Sequence, residues 1–231
     1  VENNFKKVEF IKLELLAPIL LHLKDKKIIV DKASCSIFFE NIILKNNKIL
    51  KYQDPIYKFK SIKSKIEIDN TIYSHIFDGA ALTKFLFWLK KNFIKKKITE
   101  IDAEKKLLNF RKKYKTFKYS SFPTISGTGP NGAIIHYRAN KKSNLRLKKG
   151  DIYLVDSGGQ YNFGTTDVTR TISLYNKSNR IKNIFTRVLK GHIAVASYQL
   201  DKKTCGAEID KEARKYLNQI NLIMRMALVM V

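Results

Sequence analysis

A chain of 231 residues with 44% hydrophobic content can bury a substantial core and has room for more than one domain, so disorder is excluded as the default state. The charge is the outlier: 45 Lys and Arg against 20 Asp and Glu give +25. The lysines are spread along the whole chain among Ile and Asn, as a compositionally biased genome produces, and no arginine-rich stripe with interleaved aromatics forms; weak polyanion binding stays open, but a specific nucleic-acid partner is not expected.

Residues 1–55 read as the end of a small α/β unit. The apolar run Leu13 to Leu23 contains Glu14, is too short to cross a bilayer, and reads as a core helix with His22 packed against it; no membrane partner is expected. Lys27 to Val30 and Lys48 to Tyr52 are short strand candidates, and Ser34 to Asn41 opens a helix. No chemistry stands out in this part. Cys35 and Cys205 have no metal-type spacing and read as free thiols in a reducing cytoplasm, and no signal peptide follows Val1.

From Lys60 to Asn92 the periodicity is helical. Ile66, Ile72, Ile76, Ala80, Phe85 and Leu89 share one face, widened by Phe87 and Trp88, and the lone His75 reads as a structural hydrogen-bonding imidazole. Thr99 to Asp102 resembles a capping box with Asp in place of Glu, opening a second helix that runs to about Tyr114. Phe122 to Asn140 then changes character. Gly127, Gly129 and Gly132 around Pro130 mark an irregular loop, and Ala133 to Tyr137 reads as a strand ending on His136. A phosphate loop would need a Gly-Lys-Ser or Gly-Lys-Thr ending and a following helix; neither is present.

Asp151 to Thr171 reads as two strands joined near Asn162-Phe163-Gly164, with Gly150-Asp151 as the pivot. Asp156 and Asp167 fall on opposite arms, close enough across the ladder to meet if a bulge intervenes. Two readings stay open. Two apposed carboxylates call for a divalent cation; alternatively Asp156 ends a strand and Asp167 pairs with Arg170 at the surface. Beyond the hairpin, Asn179 to Leu200 is apolar at helical spacing with His192 on the core side, and Gly206 to Asn218 forms one more helix.

The stretch Phe122 to His136 with Asp156 to Thr171 closely resembles Xaa-Pro aminopeptidase (aminopeptidase P), of the pita-bread metallopeptidases. The likeness extends through Phe185 to Val195 and weakly back to Ser74 to Leu82, covering roughly residues 56–222. It implies an α/β fold: a partial pita-bread domain over 56–222, preceded by the remnant of a non-catalytic α/β domain over 1–55. It further implies Asp156 and Asp167 as metal ligands for two divalent ions, Mn²⁺ by family habit, with His136 as a catalytic, substrate-facing histidine. The substrates implied are peptides with proline in second position, and family members are often dimeric. A non-catalytic pita-bread binding module and a basic nucleic-acid binder are the alternative classes.

The three methionines, Met224, Met226 and Met230, fall in the last eight residues, where the family expects His-Gly-Thr-Gly-His-Gly. Synonymous codons exist for Ile223 to Val231 that, shifted by one base, encode Asp-Tyr-Ala-His-Gly-Thr-Gly-His-Gly. A frameshifted tail over 223–231 is therefore expected, and it would remove one His and two Glu ligands that the resemblance implies. Sequencing the locus is expected to show codons after Leu222 that restore this motif in the neighbouring frame; codons incompatible with that frame rule it out.

Overall fold

The structure, a computed structural model, describes residues 9–176, 178–201 and 203–222; the expected frameshifted tail lies outside the described residues. The chain divides into two compact units, Val1–Lys65 and Ile66–Val231.

In the first unit, β1 (Lys27–Val30) and β2 (Lys48–Lys51) pair in parallel, and α2 (Ile37–Leu44) makes the crossover. Ser36 caps α2 by accepting from the Phe38 amide, and Val30, Ile42 and Ile43 form a small core. The Asn47 side chain ties the connections together, donating to the Leu23 carbonyl at 2.8 Å and accepting from the Lys26 amide at 3.0 Å. The expected core helix at Leu13 to Leu23 is corrected. A 3-10 turn and α1 (Leu16–His22) form there, but bury no residue, because apolar side chains point all round and α2 covers one side only. His22 Nδ1 donates within its own helix, to the Pro18 carbonyl at 2.8 Å. The unit ends in α3 (Pro55–Ser61), capped by Asp54 with Pro55 in its first turn.

The second unit is built on α4 (Lys65–Asn92), α5 (Glu100–Arg111) and a three-stranded antiparallel sheet in the order β4 (Ile125–Thr128), β5 (Ile152–Ser157), β7 (Val168–Ser173). Strand β5 alternates: Tyr153, Val155 and Ser157 are buried, while Ile152, Leu154 and Asp156 are half-buried. Its buried residues Tyr153 and Val155 meet Leu82, Phe85 and Leu89 of α4 and Ala103 and Leu107 of α5 in one core. The capping box at α5 is present, Thr99 and Asp102 each satisfying the other's amide.

Three expectations are corrected here. The helix expected from Lys60 is broken between α3 and α4, and the buried face of α4 is set differently: Ser74 and Asp78 are buried, whereas Ile66, Ile72, Ile76 and Phe87 are exposed. The cause is Arg111, which donates to both Asp78 oxygens, from Nε at 2.6 Å and Nη2 at 3.0 Å, and draws the polar stripe of α4 inward. The strand expected at Ala133 to Tyr137 is a 3-10 turn (Gly129–Ala133) followed by an irregular loop. Asn131 Nδ2 and the Tyr137 hydroxyl lie 2.8 Å apart, which six residues of extended chain, spanning about 20 Å, would forbid. Finally, α6 (Asn179–Ala196) leaves His192 exposed rather than in the core. It packs on α7 (Gly206–Asn218) through Gly191, where an added Cβ would meet the Ala213 carbonyl at 2.3 Å.

Arg111→Met would strand the Asp78 carboxylate in the core. The expected loss is about 3–5 kcal/mol of stability, read as a lowered denaturation midpoint; an unchanged midpoint would mean that the pair contributes nothing.

Candidate metal centre

The path from β5 to β7 is not a simple hairpin. After Ser157 the chain leaves the sheet as β6 (Gly159–Tyr161), which pairs with β3 (Phe117–Ser120), turns at Asn162-Phe163, and returns to β7. The turn closes through the Tyr161 amide on the Gly164 carbonyl at 2.8 Å. In the β5–β7 ladder Asp156 faces Thr169 and Ser157 faces Val168, so the next step places Asp167 diagonally from Asp156 on the same side of the sheet. The excursion through β6 takes the place of the expected bulge.

Thr166 locks this return. Its hydroxyl accepts from the Gly159 amide at 2.9 Å, its amide donates to the Gly159 carbonyl at 2.9 Å, and its carbonyl accepts from Ser121 Oγ at 2.9 Å. Gly158 makes the close approach possible, since a Cβ there would lie 1.9 Å from the Thr166 carbonyl oxygen. Asp167, the next residue, therefore has little freedom along the ladder.

The two carboxylates behave as an unneutralised pair. Desolvation, then the charge of Asp156 and a hydrogen bond to it, raise the pKa of Asp167 above the usual carboxylate range, with the nearby His75 opposing the rise. Asp156 Oδ1 is buried and has no hydrogen-bond partner among the described residues. A buried carboxylate oxygen without a donor is costly, and a cation supplies what is missing. The pair thus fits a hard divalent ion by donor type. Among the described residues no cluster of three or more His, Cys, Asp or Glu completes a cage around it. Asp167 makes no ion pair with Arg170 among the described residues; the Arg170 guanidinium donates to the Thr169 carbonyl at 2.7 Å.

The sequence presents His75 only as a structural imidazole. Its Nδ1 is 2.8 Å from the Thr71 carbonyl, which makes Nδ1 the donor and leaves Nε2 without the proton when the ring is neutral. Its position four residues after Thr71 on a helix carried that bond in the sequence; its nearness to Asp167 did not show there.

His136 is exposed, with φ of 53°, in the loop between β4 and β5. That loop is held by Glu100, fully buried at the start of α5. The Glu100 carboxylate accepts from the Thr128 amide at 2.8 Å, the Tyr137 hydroxyl at 2.8 Å, the Leu145 amide at 3.0 Å and Asn131 Nδ2 at 3.1 Å. Burial pushes the Tyr137 phenol up, opposed by its Ser143 hydrogen bond, with Glu100 adding to the rise. The chain then turns back: Arg138 Nη1 donates at 2.9 Å to the carbonyl of Thr124, next to Ile125, which faces Asp156 across the β4–β5 ladder. The structure brings Asp156 and Asp167 together, while His136 is reached only through this loop.

The family model of metallopeptidase family M24 matches residues 70–228. The chain belongs to this family. Among curated M24 relatives, a probable Xaa-Pro aminopeptidase P of Coccidioides posadasii (strain C735) is 42% identical over 83% of the chain and 30% of its own length. One of Laccaria bicolor is 42% identical over 87% of the chain and 31% of its length. Among solved structures, the X-prolyl aminopeptidase of Caenorhabditis elegans, described as a cytosolic enzyme with a di-nuclear active site, aligns with a TM-score of 0.71 and 32% identity over 79% of the chain and 30% of its own. Prolidase from Pyrococcus furiosus, at 23% identity and a TM-score of 0.65, shares the fold. The M24 chain thus spans about a third of the length of these aminopeptidase relatives and has a partial pita-bread domain. No helix among its described residues is long and apolar enough to cross a membrane.

Because the folded pKa of Asp167 is raised, its contribution to stability is fully present below the ordinary carboxylate range and is lost as pH rises through the raised value. Asp167→Asn is expected to raise the melting temperature of the metal-free chain at pH 7, with the gain vanishing below about pH 3, where the carboxyl is protonated in either state. Melting curves across this range check it; equal curves at pH 7 would show that the two carboxylates do not strain the fold.

Proposed function

We propose that this chain contributes the paired aspartates of a metal-dependent aminopeptidase that removes the N-terminal residue from peptides with proline in second position. The observation that carries the reading is the buried Asp156 Oδ1, without a hydrogen-bond partner among the described residues, beside an Asp167 whose carboxyl is pushed up by desolvation and then by the charge of Asp156. In this reading Asp156 and Asp167 would hold two divalent ions, Mn²⁺ being the proposed metal. When bound, such ions supply Lewis-acid activation of water and polarisation of the scissile carbonyl. His136, at the exposed tip of the Glu100-anchored loop, donates a hydrogen bond to the peptide carbonyl oxygen as charge develops there. Water adds to the carbonyl carbon and the C–N bond before proline breaks, the water oxygen staying on the released residue as part of its carboxylate and a proton passing to the proline nitrogen of the remainder. A cytoplasmic location and pairing with a second copy belong to the same reading, as does the assignment of residues 1–55 to an upstream non-catalytic domain.

Two carboxylates leave most positions around two ions to water, so this chain by itself is proposed to bind Mn²⁺ weakly and to hydrolyse little. Titration calorimetry with Mn²⁺ is expected to show weak heats that disappear in Asp156→Asn and in Asp167→Asn. Tight stoichiometric binding, or weak binding unchanged in both variants, overturns this assignment of the site.

A further inference from the structure

A fully buried network lies directly behind the aspartate pair. Asp78 and Arg111, 0% and 1% exposed, form a two-pronged ion pair between α4 and α5. Each partner keeps a second bond for the strands. Arg111 Nη2 donates to Ser157 Oγ at 3.1 Å, and the Tyr161 hydroxyl donates to Asp78 Oδ1 at 2.8 Å. Ser157 immediately follows Asp156. Tyr161 closes the turn that leads back through Thr166 to Asp167, and its ring is fixed edge-on to Phe117 and stacked on Phe163. The same helix approaches the turn directly: a Cβ on Gly164 would lie 2.3 Å from Ser74 Oγ.

We propose that the Asp78–Arg111–Ser157–Tyr161 network is the positioning device that sets the separation of Asp156 and Asp167, and so the affinity of the chain for a divalent cation. The inference rests on the metal-centre reading above. Two like charges left to themselves relax apart, and a short segment with a turn in it offers the freedom to do so. The network removes that freedom by gripping the segment on both sides of the Gly158–Thr166 contact with one rigid, planar guanidinium–carboxylate pair. Among the described residues none of its four side chains is hydrogen-bonded to either aspartate, so it acts through the backbone of β5 and β6 and not as a ligand. Buried groups that orient metal ligands typically change affinity about 10- to 100-fold when removed.

The test uses this chain with Ser157→Ala and Tyr161→Phe, each deleting one hydrogen bond while keeping the packing, and Leu107→Ala as a destabilised core control. Free Mn²⁺ is followed by electron paramagnetic resonance, and the amide signals of Asp156, Thr166 and Asp167 by NMR in the absence of metal. The expected result is a Mn²⁺ affinity at least about tenfold lower in Ser157→Ala and Tyr161→Phe, with all three amide signals displaced. Leu107→Ala is expected to melt earlier yet to keep its affinity within about twofold and those signals in place. Unchanged affinity and signals in Ser157→Ala and Tyr161→Phe overturn the proposal, as does an equal affinity loss in Leu107→Ala. If the unaltered chain takes up no Mn²⁺, the metal-centre reading fails, and the metal-free amide signals alone decide whether the network positions the pair.

Discussion

The buried ion pair between Asp78 and Arg111 governs how the second unit is put together. A lone guanidinium or carboxylate in that position would be expelled by its desolvation cost, so each residue is tolerable only because the other meets it with two bonds, and because Tyr161 and Ser157 occupy remaining bonding positions. The pair decides the rotation of α4: with Asp78 and Ser74 inside, the isoleucines at 66, 72 and 76 are turned outward. Only from Ala81 onward, where Leu82, Phe85 and Leu89 enter the core, does α4 follow its hydrophobic periodicity. Polar satisfaction overrides apolar patterning over about the first three turns of α4, which end where Ser74 and Asp78 meet the segment that leads to Asp167.

A second buried acid does comparable work at the other end of α5. Glu100 has no cationic partner among its hydrogen bonds; its charge is met by backbone amides, a phenol and a carboxamide, at the N-terminal end of α5 where the helix dipole also favours a negative group. These donors come from residues 128, 131, 137 and 145, so one carboxylate gathers the whole β4–β5 connection. The left-handed conformation of His136 is a local consequence of folding that loop back on itself. Both halves of the candidate centre, the aspartate pair and the histidine loop, are therefore shaped by carboxylates that are not themselves candidates for chemistry.

The aspartate pair departs from this pattern of satisfied buried acids. Where Asp78 and Glu100 have donors on both oxygens, Asp156 keeps one buried oxygen bare, and Asp167 is held beside it by the Thr166 lock. An unsatisfied buried carboxylate oxygen next to a second acid marks a place where stability has been given up for binding. The exposed apolar stripe on α6, formed by Phe185, Val188, Leu189 and Ile193, fits a domain of which this chain spans only part.

The sequence by itself determined the elements whose signals are local. The capping box at Thr99, the strands at Lys27 and Lys48, the turn near Asn162 and the helix from Gly206 each depend on residues within a few positions of one another, and each formed where that chemistry placed it. Motif resemblance, which compresses long-range information into a short string, singles out Asp156 and Asp167 in the sequence. Tertiary structure decided the rest: which face of α4 is inside, that β6 leaves the β5–β7 ladder for β3, that residues 133–137 fold back instead of extending, and that His75 lies near Asp167 while His192 faces outward. The physical reason is the same in each case. Hydrogen bonds between Arg111 and Asp78 or between Glu100 and Tyr137 join residues more than thirty positions apart, and no periodicity within a single segment records which distant partner will satisfy a buried charge.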